Sequence, residues 1–369
     1  MIAHAVPSLP AAGNRDAQAL WWAARARQSG YDDVDTLRAH LELPPYRLAQ
    51  IYRAAAKELH DRFEDLTVLP RSQRESLAKH LRLSSVHPAH AAHSGDAQTS
   101  KFLFALAAGD RVEAVLMRHR GGRTTACISS QAGCALRCSF CATGQGGFFR
   151  NLTSLEILDQ AVYVARAARA EKRSLSNLVF MGMGEPFLNY DAVLDAVAML
   201  NDPHGFNLGA RRMTISTAGV VPGIERFTAE GIQVNLAISL HAPDDELRTQ
   251  LMPINKKWPI AKLMAAARAY VAATRRKVFY EYLMLGEVND RPEDARRLAD
   301  LLGGPLHHVN LIPYNATAAR YRQSEMTRMR RFQNVLHERG VPTTVRYTMG
   351  ADIAAACGQL RIDQAAAAL

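Results

Sequence analysis

The apolar positions of the chain fall into two textures. From residue 15 to residue 85 they recur at helical spacing, in DAQALWWAARARQSG, LPPYRLAQIYRAAAKEL and LPRSQRESLAKHLRL, with no strand-like alternation, which predicts short helices. The next stretch, SSVHPAHAAHSGDAQTS, is polar and rich in His and Ala, and predicts a linker. KFLFALAAGDRVEAVLM then carries a turn at Gly109-Asp110 between two strand-like runs, which predicts a β-hairpin.

Beyond the hairpin, strand and helix patterns alternate. TTACIS, NLVFMG, MTISTAG, VNLAISL, VFYEYLML and HVNLIPY read as strands. TSLEILDQAVYVARAARA opens on the capping box Thr153-x-x-Glu156 and reads as a helix, as do DAVLDAVAML, PIAKLMAAARAYVAATRR, PEDARRLADLLGG and MTRMRRFQNVLHERG. Six strands separated by helices predict an α/β fold with a parallel sheet, curved or closed. In such folds chemistry gathers at the C-terminal ends of the strands. No internal repeat is visible beyond this alternation.

Composition narrows the class. The 369 residues are enough for two domains, and 48% hydrophobic with 22% charged residues is the balance of a globular protein. The N-terminal MIAHAVPSLPAAGNRDAQ lacks a basic region followed by an apolar run, so no secretory signal is expected. No apolar stretch approaches the roughly 20 residues that cross a bilayer. The expected compartment is the cytoplasm, where thiols stay reduced and clustered cysteines point to metal or redox chemistry. Lys and Arg number 45 against 35 Asp and Glu, a net charge of +10 that favours a polyanionic partner. Arg320, Arg322, Arg328, Arg330, Arg331, Arg339 and Arg346 gather near the C-terminus, where a solvated helix face explains them equally well.

Three of the five cysteines stand within GCALRCSFCATG, as Cys134-x3-Cys138-x2-Cys141, just after the first strand of the alternating region. A structural zinc takes four protein ligands, so this triplet leaves zinc incomplete. An iron–sulfur cube held by three thiolates keeps one iron open to a small molecule, and the amine and carboxylate of S-adenosylmethionine (SAM) can chelate that iron.

This spacing resembles the radical SAM superfamily. CISSQAGCALRCSFCATGQGGFFRNLT, GMGEPFLN, ISTAGVVPGI, SLHAPDDELR, MPINKKWPI, LIPYN and DIAAACGQL together resemble the RlmN family of RNA methyltransferases and its relative, the Cfr family, in order from about residue 100 to 361. The fold implied is a partial (β/α)6 radical-SAM barrel with a small N-terminal all-helical accessory domain. Residues 1–90 would form the accessory, RNA-binding domain, 91–120 a linker and hairpin extension, and 121–369 the catalytic barrel.

The resemblance assigns roles residue by residue. Cys134, Cys138 and Cys141 would hold a [4Fe-4S] cluster, with Phe140 the aromatic before the last ligand. Gly184 and Glu185 of GMGEP, Ser216, Ser239, Leu240, His241 and Asn315 would bind SAM. Read blandly, the serines cap helices and Asn315 serves a turn. Cys357 would carry a methyl group, Cys127 would be its partner thiol, and Glu113 would accept a proton. Read blandly, Cys127 and Cys357 are small packed residues.

The implied reaction adds a methyl group to an electrophilic adenine carbon, the wrong polarity for a conventional methyl cation. Two SAM molecules are used per turnover and a Cys127–Cys357 disulfide closes the cycle. RlmN-type enzymes methylate carbon 2 in large-subunit ribosomal RNA and some transfer RNAs; Cfr-type enzymes methylate carbon 8 of the ribosomal adenine. QGGFFRNL, TAGVVP and INKKWPI lean towards RlmN. The implied partners are these RNAs and an electron donor such as flavodoxin or ferredoxin, with no membrane, and a monomer is expected. Competing readings are a radical enzyme for another substrate and a non-catalytic zinc-bound RNA-binding protein.

Overall fold

The computed structural model describes residues 15–304 and 306–360. The N-terminal stretch read for a secretory signal lies mostly outside the described residues. The helical spacing of the N-terminal region yields α1 (Ala17–Gln28), α2 (Val34–His40), α3 (Pro45–Ala56) and α4 (Arg71–His80). Asp16 and Asp33 cap α1 and α2, their carboxylates accepting from the N–H groups of Ala19 and Thr36. Trp21 and Trp22 of α1 and Tyr52 of α3 are buried and meet edge to face.

The strands are β1 (Val86–His93), β2 (Thr99–Leu106), β3 (Arg111–Arg118), β4 (Thr124–Cys127), β5 (Gln131–Gly133), β6 (Phe148–Asn151), β7 (Asn177–Phe180), β8 (Met213–Thr217), β9 (Asn235–Ser239), β10 (Val278–Met284), β11 (His307–Pro313) and β12 (Thr343–Val345). Ten of them form one sheet in the order β1-β2-β3-β4-β7-β8-β9-β10-β11-β12, and β5 pairs with β6 alone. The six strands read from the sequence are β4 and β7 to β11, parallel and adjacent in chain order. The architecture is mixed α/β, a six-strand parallel run within a larger sheet, with a helical N-terminal region.

One expectation is corrected. Within the linker read into SSVHPAHAAHSGDAQTS lies β1, paired antiparallel with β2 from Val86↔Leu106 to His93↔Ser100. Only Val86 of that strand is buried, so it shows no hydrophobic alternation. Pro88 sits at a register shift on this edge strand, where a missing N–H is tolerated. Pairing across the sheet, not local pattern, makes it a strand.

Helices α5 (Ala142–Gln145), α6 (Ser154–Ala170), α7 (Tyr190–Asn201), α8 (Val221–Glu230), α9 (Asp245–Leu251), α10 (Ile260–Thr274), α11 (Pro292–Leu301) and α12 (Met326–Glu338) complete the alternation. The capping box at α6 forms both its bonds, 3.2 Å from Glu156 N to Thr153 Oγ1 and 2.9 Å from Thr153 N to the Glu156 carboxylate. A continuous core runs from Trp21 and Tyr52 through Phe104 and Leu116 to Ile215 and Tyr282. Arg25 of α1 crosses into it, its guanidinium 2.8 Å from Asp159 of α6 and also bonded to the Leu83 carbonyl. Burying an ion pair costs heavily unless its donors are met; both terminal nitrogens of Arg25 are bonded, while its Nε is buried without a partner among the described residues. Among the described residues no helix is long and apolar enough to cross a membrane.

Strand register decides which side chains share a face. Lys101 of β2 and Cys127 of β4 both oppose Val115 of β3, and Glu113 lies two residues from Val115. A period of two therefore puts Lys101, Glu113 and Cys127 on one face. Register continues through Val179 and Thr214, so Ser216, Ser239, Glu281, Asn310 and Thr344 point the same way.

Candidate active site

The cysteine loop is held at both ends. Gly133 has φ +74°, and a Cβ there would come within 2.1 Å of the Gly147 carbonyl oxygen, so only glycine closes this loop. That carbonyl accepts from Cys134 N at 2.7 Å, and Cys141 N donates to the Cys138 carbonyl at 3.2 Å. Around the loop lie Leu136, Phe140, Leu251, Leu285 and Tyr314, a second apolar cluster. Burial pushes the Cys134 thiol up to about 12 and raises Cys138 as well, with neighbouring thiols adding to it. A bound metal would favour the ionised form of thiols so placed. Among the described residues no three His, Cys, Asp or Glu side chains converge on a single metal ion. Three thiols in one loop with apolar neighbours fit the three-cysteine ligand set of an iron–sulfur cube.

Beside this loop stands a buried carboxylate. Gly184 has φ +99°, and a Cβ would sit 2.5 Å from Gln131 Cβ, so the GMGEP turn packs directly on the strand end. Glu185 N donates to Gln131 Oε1 at 2.8 Å, and the Glu185 carboxylate accepts from Ala218 N at 2.7 Å and Phe187 N at 3.0 Å. Burial pushes this carboxyl up to about 7; the groups that oppose the rise are N–H and hydroxyl donors, none of them a cation. A carboxylate desolvated without a countercharge fits the ammonium of an amino-acid ligand.

The next strand ends are locked together. Ser216 and Ser239 are half-buried, and Leu240 is fully buried. Neither serine caps a helix: Thr217 Oγ1 accepts from Gly219 N and Val220 N, and Asp244 caps α9. His241 takes φ +60°, its Nδ1 accepts from Leu283 N at 3.0 Å, and its ring meets Phe140 edge-on. Burial, then nearby Arg248, pushes its pKa down to about 3, so it is neutral with its proton on Nε2. Arg248, which sequence reading passed over although it ends the quoted SLHAPDDELR, is fully buried. It bonds the carbonyls of Ala218, Ser239 and Leu240 and the Asn255 side chain. One guanidinium thus clamps two strand ends and the α9 loop.

The two outlying thiols, far apart in sequence, lie within electrostatic reach of each other. Cys127 ends β4, buried; its thiol is raised by burial and then by Cys357. Cys357 is exposed to solvent yet ringed by protein, and burial followed by Glu281 raises its thiol while Arg346 offsets them. All five cysteines are free thiols. Asn315 Nδ2 donates to the Cys357 carbonyl at 3.4 Å, and Gly358 accepts from Ala142 N at 2.8 Å, which lays the Cys357 segment against the cysteine loop. Glu113 is buried on β3, 2.9 Å from Lys101 Nζ. Glu281, also missed in the sequence, is buried and accepts from Asn310 Nδ2 at 2.8 Å. Of the C-terminal arginines, Arg322, Arg328 and Arg339 pair with Glu287, Asp290 and Asp300, while Arg330 and Arg331 are exposed.

A parallel sheet whose strand ends gather three thiols, a buried glutamate and small polar side chains is a radical SAM architecture. Residues 128–301 match the Radical SAM superfamily. A solved radical SAM methyltransferase from Sphaerobacter thermophilus is 47% identical and superposes with a TM-score of 0.86 over 89% of this chain and 96% of that one. Two relatives carry the name probable dual-specificity RNA methyltransferase RlmN. The one from Symbiobacterium thermophilum is 46% identical over 89% of each chain, and the one from Chloroflexus aurantiacus is 48% identical over 86% of this chain and 87% of its own. The chain belongs to the RlmN family and is a radical SAM methyltransferase. The superfamily implies a [4Fe-4S] cluster and SAM.

Proposed function

We propose that this enzyme methylates carbon 2 of an adenine in large-subunit ribosomal RNA and in transfer RNA, through a methyl group carried on Cys357. What supports this reading is that Cys127, on the sheet face that also bears Glu113, lies within electrostatic reach of Cys357. A methyltransferase acting by simple displacement needs no such pair of thiols.

Cys134, Cys138 and Cys141 would hold the cluster. Gly184, Glu185, Ser216, Ser239, Leu240, His241 and Asn315 line the ligand's place, Glu185 facing its ammonium. When bound, the cluster supplies the electron that cleaves SAM to a 5′-deoxyadenosyl radical. A second SAM supplies the methyl group, so two are used per turnover. The 5′-deoxyadenosyl radical would take a hydrogen atom from the methyl group on Cys357 Sγ, and the carbon radical so formed would add to adenine carbon 2, tethering the base through Cys357 Sγ. Glu113 would take the proton from carbon 2 as the adduct's odd electron goes back to the oxidised cluster. The Cys127 thiolate would then bond to Cys357 Sγ, the sulfur–carbon bond would break with its electron pair left on the carbon, that carbon would take up a proton, and the methylated base would leave. Covalent tethering divides one inaccessible step into several. A reductant, of flavodoxin or ferredoxin type, returns both thiols and feeds the cluster.

Residues 1–90 and the surplus positive charge offer RNA its surface, with 121–369 as the catalytic barrel, in a cytoplasmic monomer. The test is nucleoside mass spectrometry of ribosomal and transfer RNA from cells with and without the gene. Loss of 2-methyladenosine is expected. Loss of 8-methyladenosine instead would reassign the enzyme to Cfr chemistry, and no change in either would overturn the reading.

A further inference from the structure

The β1–β2 hairpin does more than extend the sheet. The Gly95 N–H at its turn donates to the Asp352 carboxylate at 2.9 Å. Gly350, at φ +69°, presses so closely on Thr99 that a Cβ would lie 2.6 Å from the Thr99 methyl. On the strand itself, Lys101 is mostly buried, and its ammonium lies 2.9 Å from the Glu113 carboxylate. The same ammonium donates to the Ala354 carbonyl at 3.3 Å. Three points of one hairpin therefore seat residues 350–354, the run that leads directly to Cys357.

We propose that Lys101 is a positioning residue: its ammonium holds the Glu113 carboxylate and the Cys357-bearing segment at once, so that proton acceptor and thiol keep a fixed relation across one sheet face. A lysine suits this place because its single compact head offers three rotatable donors, enough to serve a carboxylate and a carbonyl together. The bonds from Asn315, Ala142 and Thr143 hold residues 357–360, downstream of this contact, so its loss is felt at residues 350–354 and not through the core. The assignment of work to Glu113 and Cys357 rests on the function proposed above; the seating does not.

The experiment has two arms, run on the full chain with its cluster loaded. In the first, amide hydrogen exchange over residues 350–358 is compared in wild type, Lys101→Met and Lys101→Arg without RNA. Lys101→Met should exchange about tenfold faster there with exchange in β7 to β10 unchanged, and Lys101→Arg should recover part of the protection. Unchanged exchange in Lys101→Met overturns the seating.

In the second arm, RNA is added with SAM and reductant, and protein covalently bound to RNA is measured by mass on the Cys357 peptide. Lys101→Met should hold severalfold more adduct than wild type, because proton removal is slowed after the carbon–carbon bond has formed. Adduct in Cys127→Ala but none above wild type in Lys101→Met overturns the positioning role. Absence of adduct in both overturns the proposed function, and the seating then stands or falls on its exchange result alone.

Discussion

The two arms of the sheet hold their polar residues in opposite ways. On the parallel arm, Arg248 spends its guanidinium on three carbonyls and an amide, and Glu185 is bonded by two backbone N–H groups. On the antiparallel arm, the thiol-bearing segment ends in an exposed Cys357 and is tied by a few bonds to a hairpin. The difference suits the function proposed above. A ligand cleaved at one bond needs donors and acceptors fixed beforehand. A thiol that serves a cofactor, a base and a second thiol in turn needs a seat that is definite but local, and a segment tied by few bonds can open without disturbing the core.

The sharpest way to break this contrast is at the cluster. Replacing any one of Cys134, Cys138 or Cys141 with Ala leaves two thiolates for a cube, which is then labile. The variant should lose its visible absorbance and form no 5′-deoxyadenosine above background. Full deoxyadenosine production in any of the three would remove that cysteine from the ligand set.

The thiol arm is split by a pair of variants. Cys357→Ala should assemble its cluster yet transfer no methyl group and form no adduct. Cys127→Ala should form the carbon–carbon link and stop, accumulating a nuclease-trimmed nucleotide on the Cys357 peptide. Two merely packed thiols would give modest destabilisation in both and adduct in neither. No adduct in a folded, cluster-loaded Cys127→Ala protein would end the resolving role of that residue.

How much of this was legible in the chain depended on distance along it. The six parallel strands, the Thr153 capping box and the cysteine loop declare themselves within a few residues. Cys127 and Cys357 stood out only by resemblance, since a small residue at a strand end carries no local mark. Arg248, Glu281 and Lys101 were passed over because their meaning lies in partners far away, such as Ala354 for Lys101. β1 was hidden for the same reason: its partner strand defines it, and its own sequence of His, Ala and Pro does not.

Within the locked arm, Arg248→Met is the strongest lesion. It strands the carbonyls of Ala218, Ser239 and Leu240 in a dry site, which should cost about 3–5 kcal/mol in denaturant unfolding. A loss below about 1 kcal/mol would show that water reaches those carbonyls and that the clamp is not dry.

The same arm makes a pH signature. Burial pushes His241 down to about 3 and Glu185 up to about 7. The unfolded His241 binds a proton below its ordinary value of 6.5 while the folded one does not, so this residue makes stability fall as pH drops from 6.5 to 3. Glu185 acts oppositely: the folded carboxyl keeps a proton between 4.5 and 7 that the unfolded one has lost, so stability rises as pH drops through that window. Between pH 6.5 and 4.5 the two slopes cancel. Glu185→Gln should uncover the histidine slope, losing roughly 3 kcal/mol more than wild type over that interval. Parallel stability curves for the two proteins would mean that one of the groups is solvated.

The smallest effect is expected where the surface is already neutralised. Arg328 faces Asp290, so reversing its charge disturbs an ion pair, whereas Arg330 and Arg331 are exposed on α12. If α12 faces RNA, the doubly reversed Arg330→Glu, Arg331→Glu protein should bind more weakly and lose about 1 from the salt slope for each phosphate contact removed. Adding Arg328→Glu should change little, because Asp290 already occupies that guanidinium. Binding measured across a salt series separates the outcomes: an unchanged slope in the double variant makes α12 a solvated face and moves the RNA surface to the N-terminal helices.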